Sequence, residues 1–200
     1  MNGRNGKFLF MPKTMTMWTD FIRNEPGVWT LFLDRDGVLN EEKQHDYIRT
    51  VDEFIFYPGV PESLRILKNH FRRMVLVTNQ RGIGKGLMST EDLYQIHDYM
   101  QSVLAQSNAT LDAIYFAPDL DSNAIMRKPN PGMAFKAKEE DPAIEFSKSL
   151  MVGNNFSDME FGKRLGMTTV LVETTQKAEG AHPLIDYRYP DLKTMAAALL

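Results

Sequence analysis

Trp29-Thr30-Leu31-Phe32-Leu33-Asp34-Arg35-Asp36-Gly37-Val38-Leu39-Asn40 decides the reading of this chain. Trp29 to Leu33 is a short aromatic and aliphatic run of the kind that builds a buried strand. Gly37 breaks it. The pattern predicts Asp34 and Asp36 at the carboxyl end of a parallel strand, where ligands of open α/β sheets bind. Two residues apart on an extended backbone, both side chains leave the same face. Like charges that close repel unless a cation neutralises them or one carboxylate keeps a proton. A hard cation such as Mg2+ is bound by one or two carboxylates together with phosphate oxygens. A solvated Asp-Gly turn would use the same residues, so the rest of the chain has to discriminate.

Further along, Met74 to Val77 reads as a second buried strand ending at Thr78-Asn79-Gln80. Ala113 to Phe116, Leu150 to Val152 and Thr169 to Val172 read as a third, fourth and fifth. Helical patterns alternate with them. Val60 to Asn69 places Leu64, Leu67 and Phe71 inward. A helix capped at Ser89 or Thr90 carries the stripe Leu93, Ile96, Met100, Val103 and Leu104, with His97 on it as a packed histidine. Pro131 opens a helix over 132–140. Ser157 reads as an N-cap with Glu160 as its partner, and Gly166 closes that helix. Asp191 to Leu200 is a closing helix. Strands alternating with helices predict an α/β fold with a doubly wound parallel sheet.

Residues 29–200 are expected to form that one domain. Residues 1–28 are expected to be an N-terminal extension, loose over 1–12, with a short helix over 14–24 that turns Met17, Trp18 and Phe21 inward. Arg81-Gly82-Ile83-Gly84-Lys85-Gly86 is a glycine-rich loop able to expose backbone N–H groups to an anion. It matches neither the P-loop nor the dinucleotide fingerprint.

The totals exclude several function classes. The 200 residues carry a net charge of -3, which offers no electrostatic footprint for nucleic acid or anionic membrane. No apolar run approaches the roughly 20 residues that span a bilayer. There is no cysteine, hence no disulfide and no thiolate metal site. A cytoplasmic protein, monomeric or weakly dimeric, is expected.

In a parallel sheet the strand ends share one rim. That rim gathers Asp34 and Asp36, Thr78 and Asn79, Lys128 after the third strand, and Asn154 and Asp158 after the fourth. A carboxylate nucleophile, a second carboxylate, a hydroxyl and a cation are what phosphoryl transfer uses. With these residues the chain resembles the haloacid dehalogenase superfamily of phosphatases. Asp34-Arg35-Asp36-Gly37 matches its first motif, Thr78-Asn79-Gln80 its second and Lys128-Pro129 its third. Gly153-Asn154 to Asp158 stands where its fourth, Gly-Asp-x-x-x-Asp, belongs. The resemblance runs over roughly residues 29–173. It points to the branch without a large cap domain, that of heptose bisphosphate and histidinol phosphate phosphatases. The segments 47–60, 78–86 and 127–132 are most similar to the D-glycero-D-manno-heptose 1,7-bisphosphate phosphatases.

The resemblance implies roles. Asp34 would attack phosphorus. Asp36 would protonate the leaving alcohol and then activate water. Thr78 and Lys128 would grip the phosphoryl group. Asn79, Arg127 and Lys85 would contact substrate. Mg2+ would be held by Asp34, the backbone carbonyl of Asp36, Asn154 and Asp158. Two departures stand out. Asn154 replaces the family's aspartate, and an amide oxygen brings no charge, so weaker Mg2+ binding is expected. The zinc-binding loop of the heptose branch has Ala117, Asp119, Ala124 and Met126 at its ligand positions, so no zinc is expected. Three alternatives stay open: a histidinol phosphate phosphatase, a catalytically weakened phosphate-binding member, and a receiver-type signalling domain.

Overall fold

β1 (Thr30–Leu33) is the buried run read from the sequence. It pairs in parallel with β2 (Arg73–Asn79) on one side and β4 (Ser149–Gly153) on the other. The structure is a computed structural model describing residues 17–200. β3 (Ala113–Ala117) lies outside β2, and β5 (Thr168–Val172) and β6 (Tyr187–Tyr189) extend the sheet beyond β4. The strand order is β3-β2-β1-β4-β5-β6, with every pairing parallel. After β3 the chain crosses back over β2 and β1 to lay down β4, so the order reverses between β1 and β4. A crevice opens at such a reversal, outside the carboxyl ends of the strands.

Alternation along each strand builds two cores. Leu31, Leu33, Leu76, Leu150 and Val152 face one layer, with α1 (Trp18–Asn24), α2 (Val60–Lys68), α4 (Thr90–Gln106) and α7 (Leu192–Ala197). Phe32, Val75, Val77 and Met151 face the other, under α5 (Gly132–Glu140) and α6 (Phe156–Arg164). β1 is buried at all four positions, as a central parallel strand covered on both faces must be. Among the described residues no helix is long and apolar enough to cross a membrane.

Several expectations change. Residues 1–16, with the stretch expected to be loose over 1–12 and the start of the helix expected from 14, lie outside the described residues. α1 exists, but it buries Trp18, Thr19 and Ile22, while Met17 and Phe21 are exposed. Trp18 and Ile22 are wholly buried in the same core as β1, and Trp18 Nε1 donates to Tyr189 Oη at 2.8 Å, so α1 packs as part of the domain. The glycine-rich loop is a helical turn, α3 (Arg81–Gly84), and Gly82 is buried against Tyr47 and Met88. α6 starts two residues earlier than Ser157 implies: Asn155 is its N-cap, and Asp158 Oδ2 accepts from Asn155 N at 3.0 Å. β6 has no counterpart in the sequence reading.

Candidate active site

Registry brings the site together. Leu33 is level with both Leu76 and Val152, so the next residues of β1, β2 and β4 emerge side by side. Asp34 N donates to Val152 O at 3.0 Å, which fixes where Asp34 leaves the sheet. Asp34, Asp36, Thr78, Asn79, Arg127, Lys128, Asn154 and Asp158 line one cavity of about 280 Å³. Lys85 does not line it. Lys85 is exposed and stands over the Tyr47 ring, 5.1 Å from its centroid, while Tyr47 itself lines the cavity.

Lys128 sits at the floor of this cavity, with 3% exposure. Its Nζ is 2.9 Å from Asp34 Oδ1 and 2.7 Å from Asp158 Oδ1. Burial pulls the ammonium down, but the charges of Asp158 and Asp34 outweigh it and Lys128 lies above its ordinary range. Burial is also the largest influence on Asp34. With Asp158 and Asp36 nearby it pushes the carboxyl up to about 7, against the pull of Lys128. One buried cation thus serves two carboxylates, and the cluster retains an excess negative charge that a further cation would relieve.

Asp36 is neutralised separately. Arg35 is fully buried, and its Nη2 bonds both Asp36 oxygens at 3.0 Å. Asn40 Nδ2 and Gln80 Nε2 donate to the same carboxylate at 2.9 Å each. Burial pushes Asp36 up, but Arg35 and these hydrogen bonds overcome it and hold the carboxyl below its ordinary value. Arg35 Nη1 reaches His97 Nε2 at 3.2 Å. A guanidinium only donates, so Nε2 of His97 is the accepting nitrogen and the imidazole is neutral. Burial and the Arg35 charge push His97 down to about 3. The packed histidine therefore buttresses the arginine that holds Asp36.

Other predicted residues take different tasks. Asn79 Oδ1 accepts from Lys128 N at 2.9 Å and its Nδ2 donates to Lys128 O at 3.1 Å. These two bonds position Lys128 and leave the second Nδ2 hydrogen of Asn79 free to donate. Asp158 faces Lys128 with Oδ1 and the start of α6 with Oδ2. Thr78 Oγ1 accepts from Gln80 Nε2 at 2.9 Å, which leaves the hydroxyl hydrogen to donate elsewhere. Arg127 lines the cavity and gives one N–H to Leu120 O. The 117–130 loop is held by Asn130, whose Nδ2 bonds Ser122 O and Ala124 O at 2.9 and 3.0 Å.

Asn154 is 1% exposed. Its Nδ2 donates to Glu42 Oε2 at 2.9 Å and to Thr175 Oγ1 at 2.6 Å, and its Oδ1 is buried with no hydrogen-bond partner. Sequence reading missed Glu42, Arg81 and Thr175. Glu42 and Arg81 line the cavity, and Arg81 Nε is buried and unpartnered. Thr175 was within reach of the rim argument, because it follows β5. Among the described residues no three carboxylates or histidines converge into an all-protein metal cage. A buried carbonyl oxygen without a donor, on a residue that shares the cavity with Asp34, nonetheless suits a hard cation that keeps water and phosphate ligands.

Comparison with known proteins gives the same direction. Residues 30–189 match the model of the polynucleotide kinase 3 phosphatase family. A D-glycero-alpha-D-manno-heptose-1,7-bisphosphate 7-phosphatase of Burkholderia mallei is 36% identical over 150 residues, 71% of this chain and 78% of that one. The D-glycero-beta-D-manno-heptose-1,7-bisphosphate 7-phosphatase of Photorhabdus laumondii is 36% identical over 180 residues, 83% of this chain and 94% of that one. Among solved structures, D,D-heptose 1.7-bisphosphate phosphatase from B. bronchiseptica, complexed with magnesium and phosphate, has a TM-score of 0.77 at 30% identity. The match covers 86% of this chain and 97% of that one.

Proposed function

The chain belongs to the haloacid dehalogenase superfamily of phosphatases, and we propose that it is a Mg2+-dependent hydrolase of a small sugar phosphate, with a heptose 1,7-bisphosphate as the favoured substrate. The observation that carries this reading is Lys128 at the cavity floor, 2.9 Å from the Asp34 carboxylate, with Asp36 two residues on and separately held by Arg35. A phosphoryl group entering there meets a nucleophile, a cation and the Thr78 hydroxyl together.

In this mechanism an Asp34 oxygen forms a bond to phosphorus and the ester P–O bond breaks. The departing alkoxide takes a proton from Asp36. Water then attacks the aspartyl-phosphate and gives a proton back to Asp36, and inorganic phosphate leaves. Asp36 rests as a carboxylate because Arg35 holds it so. The arriving phosphoryl charge raises its proton affinity, which prepares the acid form. Asp34, the Asp36 carbonyl and Asn154 Oδ1 would hold Mg2+, which when bound neutralises phosphoryl oxygens in the transition state. Arg81 and Arg127 on the cavity wall suit a second anionic group, in keeping with a bisphosphate. Lys43, which also lines the cavity, is already paired with Glu53 at 2.6 Å.

Phosphate release across a panel of sugar phosphates and histidinol phosphate, with excess Mg2+, tests the reading. Turnover fastest on a heptose bisphosphate is expected. A chain that releases phosphate from none of them refutes it.

A further inference from the structure

Asn154 is placed by partners that determine which way its amide faces. A carboxylate only accepts hydrogen bonds, so the atom 2.9 Å from Glu42 Oε2 must be the amide nitrogen. The second amide hydrogen goes to Thr175 Oγ1 at 2.6 Å. Both donors are therefore spent, and Oδ1 is left buried and without a partner on a residue that lines the cavity. A buried acceptor left that way costs free energy unless something fills it. Gly37 makes the placement possible: a Cβ there would overlap Asn154 Nδ2. Aspartate at this position would turn a carboxylate oxygen toward the Glu42 carboxylate.

We propose that Glu42 and Thr175 form a clamp that presents the Asn154 carbonyl oxygen to a divalent cation, and that Glu42 supplies from behind the negative charge which an aspartate at position 154 would carry. The inference rests on the phosphatase reading and deepens it. Glu42 is a positioning residue: it acts on the cation through Asn154 from an exposed place in the loop after β1. The sequence pattern points to a site weakened at 154. The clamp makes it a site with its charge moved to another strand-end loop, and outer partners of this kind govern metal affinity by roughly 10- to 100-fold.

Calorimetric titration of the full chain with Mg2+, without substrate, tests this directly. Glu42→Ala is expected to loosen Mg2+ at least tenfold. Glu42→Gln keeps an acceptor for the amide but loses the charge, and is expected to fall between Glu42→Ala and the parent. In metal-free protein, Asn154→Asp is expected to lower the melting midpoint, and adding Glu42→Gln to restore it. If Glu42→Ala binds Mg2+ within twofold of the parent, or the Asn154→Asp midpoint ignores the residue at 42, the clamp is refuted. Failure of the phosphatase reading is read separately, as absent phosphate release by the parent. A parent chain that binds no Mg2+ overturns both.

Discussion

Asp36 and Lys128 show how single buried charges set this site. His97 is held neutral with its pKa near 3, far below the ordinary 6.5, so the unfolded chain binds a proton there that the folded chain refuses. Stability is complete above about pH 6.5 and is lost as pH falls, at about 1.4 kcal/mol per unit. Urea unfolding at pH 7.5 and pH 5 is expected to show a share of up to about 2 kcal/mol that vanishes in His97→Gln, which keeps an acceptor for Arg35. Identical pH dependence in the two proteins would remove His97 from the network. Lys128→Met leaves two carboxylates buried without their cation, and a loss of about 3–5 kcal/mol is expected by urea unfolding at neutral pH. An unchanged midpoint would mean that Lys128 is not paired in solution. Asp34 and Thr78 were legible in the sequence because each stands at the end of an apolar strand run, whereas Lys128, in the long loop after β3, was legible through the Lys128-Pro129 motif. Glu42 and Arg81 were not, because their relation to the cavity arises from loop packing that no local pattern encodes.

At the scale of elements, the β1 turn is the tightest constraint. Gly37 has φ of 80°, which a side chain adopts at a cost of about 1–2 kcal/mol, and an added Cβ would also overlap Asn154. Gly37→Ala is expected to lower thermal stability by at least that amount and to loosen Mg2+, since it displaces the amide; a variant with parental melting and Mg2+ affinity would contradict the placement. The strands and the long helices followed from apolar periodicity, which burial enforces. The start of α6 did not, because Asn155 and Ser157 are both good caps. Which one acts is decided by Asp158, drawn into the site by Lys128. β6 escaped notice because its three residues, Tyr187–Tyr189, are only half-buried and give no apolar run. The turn α3 escaped because glycine in sequence signals freedom, whereas Gly82 serves close packing against Tyr47.

The whole molecule is a six-stranded parallel sheet whose reversal between β1 and β4 puts Asp34 and Asn154 on the rim of one cavity. A parallel α/β sheet was readable from alternation; its strand order and its sixth strand were not. The packing of α1 was not, since seven residues of helix give no reliable face, and the inward residue proved to be Trp18 with Ile22. Trp18→Ala is expected to cost about 3–5 kcal/mol, as for other large buried side chains, and a cost under about 1 kcal/mol by urea unfolding would make α1 an appendage. The central claim concerns the rim as a whole: that its strand ends assemble an aspartate-based phosphatase. The most direct test is phosphate release from a heptose 1,7-bisphosphate with Mg2+, measured for the parent chain beside Asp34→Asn. Steady release by the parent and none by the variant is expected. Equal release by both proteins would contradict Asp34 as the nucleophile and, with it, the chemistry assigned to the site.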